Sequence, residues 1–209
     1  MKSTIAMDSI LEIAAHTADV VLIQEPWYGL GRTISHPSFE CILPGGHAPD
    51  SRPRVALYVS LVAKSTLALQ VQTREDLVAD LDAQAFELST PFIPSTIVYN
   101  IYNQTNQEKT YTLSRLFAPG AVLPPRAIFA GDFNAHHSWW NCEVESPKNA
   151  DQLVDLMERN LFDLVNEADA FTHFPTNGNH ASVLDLTFAS PQVFDSVQNW
   201  AIDSDASTG

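Results

Sequence analysis

Asp132 and Asn134 stand two residues apart in the run Phe129-Ala-Gly-Asp-Phe-Asn-Ala-His-His-Ser-Trp-Trp140. On an extended backbone, residues i and i+2 leave the same side. A carboxylate and a neutral amide would then share the polar end of an apolar run, Ala127 to Ala130. The carboxylate can bind Mg²⁺ or take a proton, and the amide can orient a phosphate or a water. The pairing suits a metal- or water-handling site. Gly131 to Asn134 equally suits a plain turn, because Gly, Asp and Asn tolerate unusual dihedrals and bond their own backbone. A second carboxylate, Glu25, follows Val21-Leu22-Ile23-Gln24. That places it at the carboxyl end of an apolar strand, where open α/β folds put their chemistry, or leaves it a solvated strand-end charge. A third, Asp185, lies inside the run Ser182 to Phe188. It needs partners if it points inward, and the alternation equally allows a solvent face.

The elements that must position these residues are an opening helix, a series of strands separated by loops that suits one sheet of a sandwich, and further helices on either side of the central run. Ser9 to His16 reads as a short helix with Ile10, Ile13 and Ala14 on one face, capped by Asp8 or Ser9. Gly29 to Arg54 reads as a loop-dominated segment in which His36 and His47 are solvated. Strands are expected at Val55–Val59, Leu67–Val71 and Leu77–Leu81, and most clearly at Ser95–Asn103, rich in β-formers and ending in Tyr102. A helix fits Lys109 to Phe117. A second fits Ser146 to Leu161, with Asn149 as N-cap, Gln152 completing a capping box, and Leu153, Leu156, Met157 and Leu161 as the buried stripe. A short return strand, Phe162 to Asn166, precedes the strand that carries Asp185.

The chain has 209 residues, 45% hydrophobic and 17% charged, which suits one globular domain with a large core. No apolar run is long enough to span a bilayer, and no secretory signal pattern opens the chain. Cys41 and Cys142 are the only cysteines, so a reducing compartment without a disulfide framework is expected. The net charge of −14 argues against strong nucleic-acid binding by this chain alone, since such binders carry a basic footprint. A magnesium site offsets part of that charge, because the bound cation neutralises its own carboxylates.

Two blocks carry a family resemblance. Gly131-Asp132-Phe133-Asn134-Ala135-His136-His137 followed by Trp139 and Trp140, and Gln24-Glu25-Pro26-Trp27, resemble the GDFNAHH and QEPW blocks of endonuclease/exonuclease/phosphatase proteins. They are most similar to the branch carried by non-LTR retrotransposons, related to apurinic endonucleases and deoxyribonuclease I. Ser182 to Ser190 resembles the same family's S.iDlt..S block, and Arg52 to Val59 resembles the retrotransposon branch weakly.

The resemblance implies a four-layered α/β sandwich, two mixed sheets flanked by helices, and Mg²⁺-dependent hydrolysis of DNA phosphodiesters, with Mn²⁺ as an alternative cation. It assigns the metal to Glu25, the attacking water to Asp132, the phosphate to Asn134 and Tyr102, and the orientation of a catalytic histidine to Asp185. His136, His137 and Ser182 become substrate contacts. It further implies DNA as partner, a reverse transcriptase domain in a longer polyprotein, no membrane, and a nuclear location. The family's opening strand and its Ser-Asp-His block are not seen; Ser204-Asp205-Ala206 only echoes the latter. A fragment with low activity, or a decayed remnant that binds without catalysis, are the two expectations. A sibling lipid phosphodiesterase activity fits the quoted blocks less well.

Overall fold

The computed structural model describes residues 4–45, 51–175 and 180–202. They form two compact units that divide between Tyr102 and Asn103. His47, Thr176 to Asn179 and the Ser204-Asp205-Ala206 echo lie outside the described residues.

In the first unit, helix α1 (Thr4–Thr17) leads into β1 (Val20–Gln24), the hairpin β2 (Tyr28–Gly29) and β3 (Arg32–Thr33), then β4 (Phe39–Ile42) and β5 (Val55–Ser60). The short helix α2 (Leu61–Thr66) connects to β6 (Gln70–Thr73), β7 (Ala83–Ser89) and β8 (Thr96–Tyr102). β1, β5 and β4 form one antiparallel sheet with β5 at its centre. β6, β7 and β8 pair antiparallel in sequence order.

All six residues of β5 are buried, which fits its run of apolar residues from Val55 to Val59: both faces are covered. Ala56 and Tyr58 join Met7, Leu11 and Ala14 of α1, with Ile23 and Phe39, in one core cluster. Polar rungs join the two sets of strands. Gln24 Nε2 donates to Asn100 Oδ1 at 2.6 Å, Asn100 Nδ2 to the Ala56 carbonyl at 3.1 Å, and Gln84 Nε2 to the Ile42 carbonyl at 3.0 Å.

Several local expectations give way here. The first helix begins at Thr4, so Asp8 and Ser9 lie inside it and cap nothing. Its buried face is Met7, Leu11 and Ala14, with Ile10 partly buried against the same core, so that of the expected face only Ile13 is exposed. The segment read as loop contains β4 and the β2–β3 hairpin. His36 is buried rather than solvated, with Nε2 3.4 Å from Glu12 Oε1 and Nδ1 accepting from the Ser38 amide. The strand expected at Leu67–Val71 is shifted to β6, behind α2, which Ser60 caps by accepting from the Ala63 amide; Leu77–Leu81 is not a strand, since the Leu77 and Val78 amides turn back onto the Arg74 carbonyl and pairing begins at Ala83.

The second unit contains α3 (Thr112–Leu116), β9 (Ala127–Asp132), α4 (Asp151–Arg159), β10 (Asp163–Leu164), β11 (Asp185–Ala189) and α5 (Pro191–Phe194). β11 pairs antiparallel with β9 on one side and β10 on the other. Fully buried aromatics fill the core: Phe129 meets Phe162 edge-on at 5.5 Å, and Phe188 meets Phe133 at 6.0 Å and Trp140 at 6.3 Å. Leu153, Leu156 and Met157 form the buried stripe of α4.

Leu161, expected in that stripe, is 71% exposed, because the helix stops at Arg159. The capping box is also absent. Ala150 occupies the N-cap, Asn149 has φ +58°, and Gln152 donates instead to the Phe117 carbonyl. Both cysteines are free thiols. Among the described residues no helix is long and apolar enough to cross a membrane.

Candidate active site

In the first unit, Glu25 follows β1 directly, at the strand end expected of it. Its φ is +50°, a left-handed backbone that a long side chain adopts at a cost of about 1 kcal/mol. Two contacts hold it there: its amide donates to the Arg54 carbonyl at 2.7 Å, and Arg54 Nη2 donates to its Oε1 at 3.0 Å. The same guanidinium lies over the Tyr102 ring, 5.0 Å from its centroid, a cation–π distance. Arg54 therefore binds Glu25 and Tyr102 into one group. Tyr102 ends β8 half-buried, while Tyr99 is deep in the core.

Arg54 is the residue that sequence reasoning noted only in passing. The signal was available, a cation one residue before a wholly apolar strand, but its partners lie 29 positions back and 48 positions on.

In the second unit, Asp132 is the last residue of β9 and stands opposite Asp185, the first of β11. Residues directly opposite share a sheet face, so both carboxylates occupy one face at one end of the pair. The chain then turns. Asp132 Oδ1 accepts from the Asn134 amide at 3.0 Å, and Asn134 has φ +48°. Of the two readings of Gly131 to Asn134, the turn is the one formed at Asn134: an Asx turn closes there, and the strand stops at Asp132.

Phe133, fully buried against Phe188, pins the turn from inside. Asn103, 1% exposed, pins it from the side. Its backbone amide donates to the Asp132 carbonyl at 2.8 Å, its Nδ2 to the Phe133 carbonyl at 2.9 Å, and its carbonyl accepts from Asn134 Nδ2 at 3.2 Å. Asn103 is a second residue whose part the sequence did not disclose, since a lone Asn at a strand end reads as a breaker.

Asn166, also buried, is a third. Its Nδ2 donates to the Asp185 carbonyl at 2.9 Å and its Oδ1 accepts from the Thr187 amide at 2.7 Å. Thr172 Oγ1 accepts from the Leu184 and Asp185 amides, both at 3.0 Å. The backbone at Asp185 is held from both flanks while the residue itself is exposed.

His136 and Ser182 do come together. They line a cleft of about 560 Å³ with Asn141, Glu143, His173 and His180. His136 is fixed by a two-way backbone bridge to Lys148, and partial burial, then the Lys148 charge, lower its pKa from the usual histidine value. His137 is not in this cleft; its Nδ1 accepts from the Trp139 amide and its ring leans on Trp140 at 5.4 Å. Among the described residues no three His, Cys, Asp or Glu side chains converge closely enough to hold a metal ion.

A family model described as endonuclease-reverse transcriptase matches residues 96–208, just over half of the chain. Among solved structures, the endonuclease domain of TRAS1, a telomere-specific non-LTR retrotransposon, is similar with a TM-score of 0.72 at 20% identity, covering 100% of this chain and 88% of that one. TDP2 from D. rerio, complexed with a single-strand DNA product, is 13% identical with a TM-score of 0.46, covering 90% and 78%. An endonuclease/exonuclease/phosphatase family protein from Leptotrichia buccalis is 13% identical with a TM-score of 0.46, covering 89% and 80%. No curated protein matches the chain.

Proposed function

Since the chain belongs to the endonuclease-reverse transcriptase family of endonuclease/exonuclease/phosphatase proteins, we propose that it hydrolyses DNA phosphodiester bonds with Mg²⁺, as the nicking domain of a retrotransposon-type protein. The observation that carries the reading is the end of β9, where Asp132 and Asn134 are locked into one turn opposite Asp185. Positioned carboxylates and amides at strand ends, on buried scaffolding, are what phosphoryl chemistry needs.

The donors fit Mg²⁺. They are oxygens, and Mg²⁺ is held by one or two carboxylates plus water and phosphate, without a three-residue protein cage. Glu25, with 37% of its side chain exposed, would hold the cation. When bound, the cation supplies polarisation of the phosphate and stabilisation of the leaving 3′ oxygen. Asp132 accepts a proton from the attacking water and aims it. Asn134, with one Nδ2 hydrogen given to Asn103, offers the other to a phosphate oxygen, and Tyr102 offers its hydroxyl. Asp185 would orient the histidine of the family's Ser-Asp-His block, and His136, His137 and Ser182 touch the nucleic-acid backbone. This reading takes the four-layered sandwich as the fold, DNA and a reverse transcriptase domain as partners, and the nucleus as the place of action.

A second reading, a binding module without catalysis, draws support from the net charge of −14. Nicking of supercoiled plasmid with Mg²⁺ separates the two. The expected result is nicking by the chain that is lost in both Glu25→Ala and Asp132→Ala. A folded chain that never nicks, or nicking that survives both substitutions, overturns the catalytic reading.

A further inference from the structure

The β2–β3 hairpin carries two features that the fold does not require. Its tip is Leu30-Gly31, with φ of +54° and +77°, as in a two-residue turn of the I′ kind. That geometry favours Asn-Gly, because Asn tolerates left-handed backbone and a branched apolar chain does not. Leu30 is also 97% exposed. It carries the steric penalty and the exposure to water together, with no packing in return.

The stem beneath it is rigid. Thr33 Oγ1 donates to the Trp27 carbonyl at 2.7 Å and lies 3.3 Å from the hydroxyl of fully buried Tyr58. The Trp27 ring covers Gly29 so closely that a Cβ there would meet it at 2.9 Å.

The second feature is charge. The chain has 25 acidic and 11 basic residues, and Arg54, Lys64, Arg74 and Arg159 are each paired with a carboxylate. Arg32, exposed on β3 beside the tip, makes no ion pair among the described residues. Nor does Arg52, whose Nη2 reaches only the Pro26 carbonyl at 3.5 Å and whose Nε is buried without a partner. Arg126 also makes no ion pair among the described residues and donates to the Gln192 carbonyl; what sets Arg32 and Arg52 apart is that both adjoin the segment that begins at Glu25. Their complement is a polyanion.

We infer that the β2–β3 hairpin is a duplex-gripping wedge, with Leu30 pressed between base pairs from a groove and Arg32 and Arg52 on the flanking phosphates. The inference rests on the endonuclease reading and deepens it, giving a chain of strongly acidic character its local hold on DNA. Apolar wedges of this kind unstack a base step and kink the duplex, and phosphate contacts position the protein without reading sequence.

The test uses the full chain in EDTA, so that binding is read without cleavage, and two duplex probes. One is fluorescein-labelled for anisotropy, and the other carries 2-aminopurine to report unstacking. Leu30→Asn places the favoured residue in the turn, so its melting temperature is expected to hold or rise. Its duplex affinity is expected to fall about tenfold, as for loss of a buried Leu contact, and the 2-aminopurine signal to disappear. Arg32→Gln is expected to reduce the slope of log affinity against log salt by about one. Wild-type binding with unchanged affinity, unstacking and salt slope in both variants overturns the wedge while leaving the nuclease reading intact. Weakened binding in the variants together with a wild type that never nicks Mg²⁺-treated plasmid upholds the wedge and removes the catalytic reading. A folded wild type that binds no duplex removes the wedge, and the nicking assay then decides the catalytic reading by itself.

Discussion

Asp132 and Asp185 face one another across the β9–β11 pair, the last residue of one strand against the first of the other. Like charges directly opposite in an antiparallel pair repel, and neutralising one is worth roughly 0.2–1 kcal/mol. Asp132→Asn keeps the oxygen that accepts from the Asn134 amide and removes one charge. It should raise the unfolding midpoint in urea slightly and abolish nicking. A variant that loses stability would show that the carboxylate at Asp132 serves the fold and not the chemistry.

Glu25 gives a second separation of stability from function. Its left-handed backbone favours glycine, and its half-exposed ion pair with Arg54 contributes little once screened by solvent. Glu25→Gly should thus be more stable than Glu25→Ala by about 1 kcal/mol, with neither variant able to nick. Urea melts of the two proteins side by side provide the comparison. Equal midpoints would mean that the chain relaxes at this position once the carboxylate is gone.

Asn166 is expected to be indispensable in a way its neighbours are not. Asn166→Ala leaves the Asp185 carbonyl and the Thr187 amide without their buried partner, at about 1–3 kcal/mol for each unpaired group. Thermal denaturation should show the loss, and amide hydrogen exchange at Thr187 should accelerate more than at Val59 of the first unit. An unchanged exchange rate at Thr187 would mean that β11 does not depend on the clamp.

The pH dependence of stability should carry a signature of His136. Burial and Lys148 lower its folded pKa below the ordinary 6.5. Below about 6.5 the unfolded chain binds a proton that the folded site resists. Stability is therefore complete above that value and declines as pH falls from it toward the folded pKa. His136→Gln should flatten the melting-temperature profile over that interval relative to wild type. A profile of the same shape in both proteins would assign the decline to other groups.

The strands that end in Glu25, Tyr102 and Asp132 could be read directly from the residue order. Apolar runs bounded by polar or turn-forming residues are local signals, and a residue at the boundary keeps its place however the strands are later paired. The same holds for the buried stripe of Leu153, Leu156 and Met157, where helical period alone selects the face. The family blocks around Asp132 and Glu25 were legible for the same reason, being contiguous.

What folding adds is the set of relationships between distant positions. Nothing near Arg54 in sequence says that it will bridge Glu25 and Tyr102, and nothing near Asn103 or Asn166 says that each will hold a strand end by its amide. Local sequence left the turn and the extended backbone at Asn134 open, and Phe133, buried against Phe188 more than fifty residues later, holds the turn from a distance that local pattern cannot reach. The opposition of Asp132 and Asp185 arises in the same way, from register between strands that local pattern cannot set. Periodicity records which side of an element is apolar; only the packed chain determines which polar groups that burial brings face to face.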